Sequence, residues 1–196
     1  MSGKRILVLN GHPAARSLSK EILKSYASAA EKSGHEVRMM HLHDLEFDMD
    51  FGVAQYVEKK PLESDLLTFQ AQVEWAEHIV LSTPMWWGGV PAKLKGLFDR
   101  ALLPGWAFDP RTLKMGMPMP LLTGRTARIF VTSDTPDFFF GLLYRKALFR
   151  QLKGQIFKFV GITPAKITHF ASAGKAGPDK VETWLTKASA LGQQGA

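Results

Sequence analysis

Arg5-Ile6-Leu7-Val8-Leu9-Asn10-Gly11-His12-Pro13-Ala14-Ala15-Arg16-Ser17-Leu18-Ser19 sets a short apolar run, rich in branched residues, directly against a glycine and a proline. The run suits a buried parallel strand ending in a loop, because a strand covered on both faces reads as continuous rather than alternating hydrophobics. Ser17 or Ser19 can cap the helix that follows, since a short hydroxyl side chain satisfies a free amide of the first turn. That helix carries Ile22, Leu23, Tyr26 and Ala30, reaches about Lys32 and is stopped by Gly34.

The same alternation recurs along the chain. His35 to Leu42 reads as a second strand, with Val37 and Met39 on one face. Asp44 to Pro61 has no firm period and reads as an irregular connection, before a helix over Glu63 to Glu77. His78 to Thr83 is a third strand, broken by Pro84, and Pro91 opens a helix carrying Leu94, Leu97 and Phe98. Residues 106–125, with prolines, glycines and several methionines, read as a loop region. Ala127 to Thr132 is a fourth strand, Leu142 to Val160 is mainly helical, Lys166 to Phe170 is a fifth strand and Pro178 to about Leu191 a last helix.

Strands alternating with helices imply an α/β architecture, a parallel sheet with helices on both faces. Five strands at this spacing fit a doubly wound, flavodoxin-like sheet of order 2-1-3-4-5. A Rossmann arrangement is the competitor, but the first loop lacks its glycine fingerprint. The length of 196 residues matches a single domain over 1–196.

No apolar run approaches the roughly 20 residues needed to cross a bilayer, so no membrane insertion is expected. The first apolar run is too short for a signal peptide, and no small-residue cleavage site follows it. With no cysteine in the chain, disulfides, thiolate metal sites and cysteine catalysis are excluded, and a reducing cytoplasm is the expected address. The net charge of +7 is spread among carboxylates without a basic arm, which argues against nucleic acid and leaves a solvated basic surface with a mild attraction for anionic ligands.

In an open parallel sheet, ligands bind beyond the carboxyl ends of the strands where the strand order reverses, here between strands one and three. Three loops should therefore build the site. In the first, backbone amides, the hydroxyls of Ser17 and Ser19 and the helix dipole favour a phosphate, with His12 and Arg16 as charge-assisted partners; a serine cap with incidental basic neighbours is the other reading. In the second, Pro84-Met85-Trp86-Trp87-Gly88-Gly89, paired indoles beside glycines suit a wall for a planar ring approached closely by backbone, or an aromatic plug under the loop. In the third, Thr132-Ser133-Asp134-Thr135, short polar side chains suit hydrogen bonding to a bound ring, or a capped turn. His41, His43 and Asp44 offer no complete ligand set and read as a surface cluster, Asp99-Arg100 as a local pair or surface charge, and Phe138 to Phe140 as core or a lid.

Assembled, these loops resemble the NAD(P)H:quinone oxidoreductase family, also called the DT-diaphorase or flavodoxin-like-fold-2 family. The likeness rests on Gly11-His12-Pro13 with Ser17-Leu18-Ser19, on the long run from Pro84-Met85-Trp86-Trp87-Gly88-Gly89 to Phe98-Asp99-Arg100, and on Gly105-Trp106-Ala107-Phe108, and it spans about residues 4–190. The resemblance implies a non-covalent flavin, FMN or FAD, with NAD(P)H as co-substrate, a quinone-like acceptor and a homodimer. It implies that His12, Ser17, Leu18 and Ser19 hold the flavin phosphate and ribityl chain, that Met85 to Gly88 run along the isoalloxazine, and that Thr132 to Thr135 form the third contact. Family members often carry Thr-Thr-Gly-Gly in that third loop, where this chain has Thr132-Ser133-Asp134-Thr135. The tyrosine and histidine that assist hydride transfer in well-known members have no match here, and Tyr144 is the candidate left. A nitro- or azo-reductase, an ancillary regulatory subunit of a membrane potassium-efflux system and a flavodoxin-type carrier are the alternatives. Lys114, Arg125 and Arg128 are candidates to meet a 2′-phosphate of the co-substrate.

Overall fold

A computed structural model of the protein describes residues 3–52 and 60–196, without the side chain of Lys114. Among the described residues seven strands and six α-helices follow one another as β1 (Arg5–Asn10), α1 (Leu18–Lys32), β2 (Glu36–His41), α2 (Ser64–Trp75), β3 (His78–Pro84), α3 (Ala92–Ala101), β4 (Phe108–Lys114), β5 (Met117–Pro120), β6 (Thr126–Ser133), α4 (Asp137–Leu142), α5 (Ala147–Arg150), β7 (Ala165–Ala171) and α6 (Pro178–Gln193). Five strands form one sheet in the order β2-β1-β3-β6-β7, and every pairing in it is parallel. Counted along that sheet the order is 2-1-3-4-5, as the alternation of elements implies.

The continuous apolar runs are explained by burial on both faces. Ile6 and Val8 pack with Tyr26 of α1 and Trp184 of α6, whereas Leu7 and Leu9 face α2, α3 and the segment after α5. All seven residues of β3, the central strand, are buried. Each fully buried leucine or isoleucine contributes roughly 1.5–3 kcal/mol relative to exposure, so the two faces together fix the register: a one-residue slip would exchange them.

Three stretches differ from the sequence reading. Residues 106–125 hold an antiparallel hairpin, β4–β5, with a register shift between Asp109 and Leu113. Pro110, Pro118 and Pro120 are tolerated because the ribbon has two strands only, so half of the amides face away from a partner. The helix expected over Leu142 to Val160 is broken. α4 begins earlier, at Asp137, Arg145 and Lys146 take positive φ, and α5 passes into a π-helical segment at Gln151–Lys158. The i→i+5 repeat brings Leu152 and Phe157, five apart, onto the buried side. Arg100 is not a surface charge: it is 2% exposed and spans from α3 to Glu63 at 3.0 Å and to the carbonyls of Pro61 and Asp48, pinning the connection after β2. Asp99 pairs with Lys95 one turn back. Part of that connection, residues 53–59, lies outside the described residues.

Candidate functional site

The loops after β1, β3 and β6 leave neighbouring strands at the same end of the sheet, and the order reverses between β1 and β3. Direct bonds tie them. Gly11 N–H donates to the Ser82 carbonyl at 2.8 Å, Met85 N–H donates to the Thr132 carbonyl at 2.8 Å, and the His12 ring meets Trp86 edge to face at 5.5 Å. A Cβ on Gly11 would lie 2.8 Å from Leu94, 3.0 Å from Leu81 and 3.1 Å from the Ser82 carbonyl oxygen, so only glycine lets the first loop close on β3.

The two serines of the first loop divide the work left open by the sequence. Ser17 is the N-cap, its oxygen accepting Lys20 N–H at 3.2 Å. Ser19 Oγ is buried without a protein partner, as are Asn10 Nδ2 and Ser82 Oγ at the ends of β1 and β3. Buried polar atoms without partners are costly and few in native proteins, and three of them around the switch point fit a polar ligand. The first amides of α1 and its dipole add the attraction for an anion. Leu18 is half-buried and Arg16 exposed beside them.

Burial holds the His12 pKa below the ordinary histidine value, with His43 adding to the effect. Its Nδ1 accepts Ala14 N–H at 3.0 Å, which leaves the proton on Nε2 as a neutral donor.

The second loop is a two-residue reversal. Trp86 and Gly89 exchange both backbone bonds at 2.9 Å, and Trp87 and Gly88 take φ of 50° and 76°, the type I′ geometry. The indoles are not a plug: Trp86 is 46% exposed and Trp87 is fully exposed, while Met85 is half-buried and Pro84 buried. Trp87, Gly88 and Gly89 face Arg150, Gln151 and Gln155 across an open cleft of about 660 Å³. That leaves room for a planar ring beside the Trp87 indole.

In the third loop Thr132 and Ser133 are buried, and Asp134 turns outward to accept Gly174 N–H at 2.6 Å, so its charge is committed to the loop after β7. Thr135 is half-buried. Ser133 Oγ reaches the Thr135 carbonyl at 3.2 Å and His169 Nε2 at 2.8 Å. His169 Nδ1 lies 2.8 Å from Asp137 Oδ1. Sequence reasoning missed His169 and Asp137; the only available signal was a histidine alternating with Ala165 and Ile167 on the buried face of β7.

Other candidates fall elsewhere. Tyr144 stands exposed in the turn after α4 rather than in the cluster of loops. Phe140 is core, and Phe138 and Phe139 are exposed. Arg125 precedes β6, at the opposite end of the sheet, and is spent on the carbonyls of Val73, Thr123 and Glu74. Arg128 is buried within β6 beside Thr168 and Tyr26. Neither can meet a ligand at the switch point, and the side chain of Lys114 lies outside the described residues. His41 and His43 stack loosely at 5.2 Å, His43 pairing with Asp44 at 3.1 Å, and no group able to hold a metal ion occurs among the described residues.

Strand order, switch point and convergent loops define a doubly wound α/β protein whose ligand position, by the rule for open parallel sheets, is the switch point between β1 and β3. The chain belongs to the Flavodoxin-like fold family, whose model matches residues 4–192. It is 29% identical over 128 residues to the ribosyldihydronicotinamide dehydrogenase [quinone] of Rattus norvegicus, covering 56% of this chain and 55% of that protein. The chain thus spans about half the length of the curated relatives it matches. Among solved structures, Smu.1420 from Streptococcus mutans UA159 superposes with a TM-score of 0.81 at 30% identity, over 97% of this chain and 99% of that one. The NAD(P)H:quinone oxidoreductase from Methanothermobacter marburgensis superposes with a TM-score of 0.81 at 20% identity, over 98% and 97%, a likeness of fold. No helix among the described residues is long and apolar enough to cross a membrane.

Proposed function

We propose that this protein is a flavin-dependent oxidoreductase that takes hydride from NAD(P)H and passes it to a quinone-like acceptor. The observation that carries the reading is that Ser19 Oγ of α1 and the register partners Asn10 and Ser82 of β1 and β3, through Nδ2 and Oγ, are buried without a protein partner where these strands meet at the switch point, while the loop after β3 exposes a tryptophan pair. The quinone dehydrogenases to which the chain is similar support it. Ser19, the α1 amides and neutral His12 would hold the phosphate and ribityl chain of FMN or of the FMN half of FAD. Met85 to Gly88 and Thr132 to Thr135 would border the ring. A flavin bound there supplies hydride acceptance and donation, while the protein positions it and excludes competing reactions.

A second copy of the chain completes this reading. Leu113, Met115 and Met117 on the hairpin, Phe138 and Leu142 on α4 and Tyr144 in the turn after it are exposed apolar groups, and exposed apolar surface of this kind calls for a cover. We place the homodimer in the cytoplasm, where a cysteine-free chain of this composition is at home.

The test is an absorption spectrum of the purified protein followed by anaerobic NADPH and NADH titration. Flavin bands that bleach on addition, and return with a quinone, support the reading. Protein that neither carries nor rebinds flavin overturns it. Parallel assay with an azo dye separates a quinone reductase from an azoreductase.

A further inference from the structure

Asp137, His169 and Ser133 form a hydrogen-bonded chain, of which the binding roles above use Ser133 alone. The His169 side chain is 7% exposed and lies between the rings of Phe140 and Phe149, at 5.4 and 5.2 Å. At one end of the chain Asp137 is 59% exposed, and at the other Ser133 is 5% exposed, within the third loop of the site. The chain therefore runs from solvent to the end of β6, where the third loop of the proposed site begins, through a ring walled by two phenylalanines.

Hydrogen accounting shows what this arrangement stores. The bond from His169 holds the Asp137 carboxyl below the usual carboxylate range, and Lys146 adds to the effect. Asp137 is then an acceptor only, and His169 Nδ1 carries a hydrogen. Nε2 has two satisfied states. In the neutral ring it accepts from the Ser133 hydroxyl. In the charged ring it donates to Ser133 Oγ, whose own hydrogen then goes to the Thr135 carbonyl at 3.2 Å. Both states keep every polar atom of the chain bonded, and they differ by one proton. The charged group bonded to the ring is Asp137 from α4, on which Lys146 ahead of α5 acts in turn; Asp134 is turned away to Gly174.

We propose that this chain delivers the proton consumed when the acceptor is reduced, with His169 as a one-proton store, Asp137 orienting and stabilising the charged ring, and Ser133 Oγ as the outlet. The proposal rests on the oxidoreductase reading. In that reaction NAD(P)H gives up a hydride and is oxidised to NAD(P)⁺, and the quinone gains that hydride's electron pair and hydrogen plus one proton. His169 releases its Nε2 proton to Ser133 Oγ as the serine hydroxyl proton passes to the acceptor oxygen: one N–H bond breaks and one O–H bond forms on the acceptor. The ring is left neutral, its remaining hydrogen on Nδ1 toward Asp137. It regains a proton from water by the reverse route through Ser133 once the product has left. A carboxylate that fixes the tautomer of a histidine, which in turn exchanges a proton with a hydroxyl, is established acid–base chemistry. Ser133 is the residue in contact with the reacting group; His169 and Asp137 act through it.

The experiment uses flavin-loaded protein reduced anaerobically with dithionite, then mixed rapidly with a water-soluble benzoquinone in weak buffer containing a pH-indicator dye. Flavin absorbance reports the redox step and the dye reports proton uptake from solvent. In the wild type, absorbance should recover before the dye responds, because the store is spent first. In His169→Gln and Asp137→Asn the two signals should coincide, and recovery in alkaline buffer should slow by roughly a hundred-fold, the deficit shrinking as the buffer is made acid. Flavin affinity, measured by fluorescence, should stay near the wild-type value, which a chain that only props the loop would not allow. Ser133→Ala leaves the His169–Asp137 pair in place and should give the same coincidence, so the proposal is testable even if a His169 variant folds poorly. Coincident signals in the wild type, or wild-type kinetics in both His169→Gln and Ser133→Ala, would overturn it. Dithionite bypasses the nicotinamide, so a protein that NAD(P)H cannot bleach would sink the proposed function without deciding this one.

Discussion

Ser17 and Ser19 stand two positions apart in one loop, and their hydroxyls do different things. Ser17 satisfies an amide of α1, whereas Ser19 is buried with its oxygen unspent. Ser17→Ala should therefore cost about 1 kcal/mol in urea unfolding and leave flavin affinity nearly intact. Ser19→Ala removes an unpartnered group, so stability should hold or rise by a few tenths of a kcal/mol. Its flavin affinity should fall by roughly three- to ten-fold, the worth of one neutral hydrogen bond. A destabilised Ser19→Ala that binds flavin normally would move that serine from the site to the fold. The sequence placed both serines at the helix start but left the cap undecided, because either spacing satisfies a first-turn amide. Arg100 marks the same limit: beside Asp99 it reads as half of a surface pair. The roughly 100° turn between successive helical residues sends it inward to Glu63 instead.

At the scale of elements, two reversals use one solution, a residue other than glycine followed by glycine, both with positive φ: Trp87-Gly88 and Met115-Gly116. A tryptophan is a poor choice there on conformational grounds, since asparagine before glycine is the favoured type I′ pair. Trp87→Asn should therefore leave the fold as stable as before or raise it by about 0.5 kcal/mol, relieving part of the left-handed strain. If Trp87 walls the ring, the same substitution should weaken flavin or acceptor binding by roughly ten-fold, a loss on the scale of one aromatic contact. Thermal unfolding and a fluorescence titration on one sample separate the two effects. Unchanged binding would leave the exposed indole unexplained by the site. The parallel strands were legible because their burial writes continuous apolar runs. The hairpin was not, because three prolines read as breakers when neither strand is seen to have a free side. The break before α5 was equally hidden: Arg145 and Lys146 carry no local signal for positive φ.

For the whole molecule, the strand order and the three converging loops followed from alternation and from the rule of the switch point, whereas the contacts that hold Glu63 and His78 join residues far apart in the chain and left no trace in it. Those contacts all point the same way in acid. His78 opens β3 beneath the sheet; burial, with the positive charges of Lys4 and Arg128 adding, pushes it down to about 3, and its Nδ1 meets Thr126 Oγ1 at 2.6 Å. The folded state keeps it neutral while the unfolded chain binds a proton near the ordinary histidine value of 6.5. Between those values the unfolded state binds more protons, so the stability His78 contributes is complete above about 6.5 and drains away as pH falls, at up to about 1.4 kcal/mol per unit. His12 and His41 are also held low, chiefly by burial, and add to the slope. The carboxylates act in a lower window. Burial works against Glu63, but backbone amides and Arg100 outweigh it and hold it low. Its contribution is present above the ordinary carboxylate range and is lost only as pH falls through its depressed value. Stability should thus begin to fall below neutrality, before any carboxylate titrates. From pH 7 to pH 5 His78 alone should account for about 2 kcal/mol, and His78→Asn, which keeps a partner for Thr126, should flatten that part of a urea-unfolding profile while leaving the steeper loss at lower pH. A variant with the full wild-type slope between neutrality and pH 5 would mean that His78 already carries its proton in the folded protein, and that the early acid loss belongs to the net positive charge rather than to one buried ring.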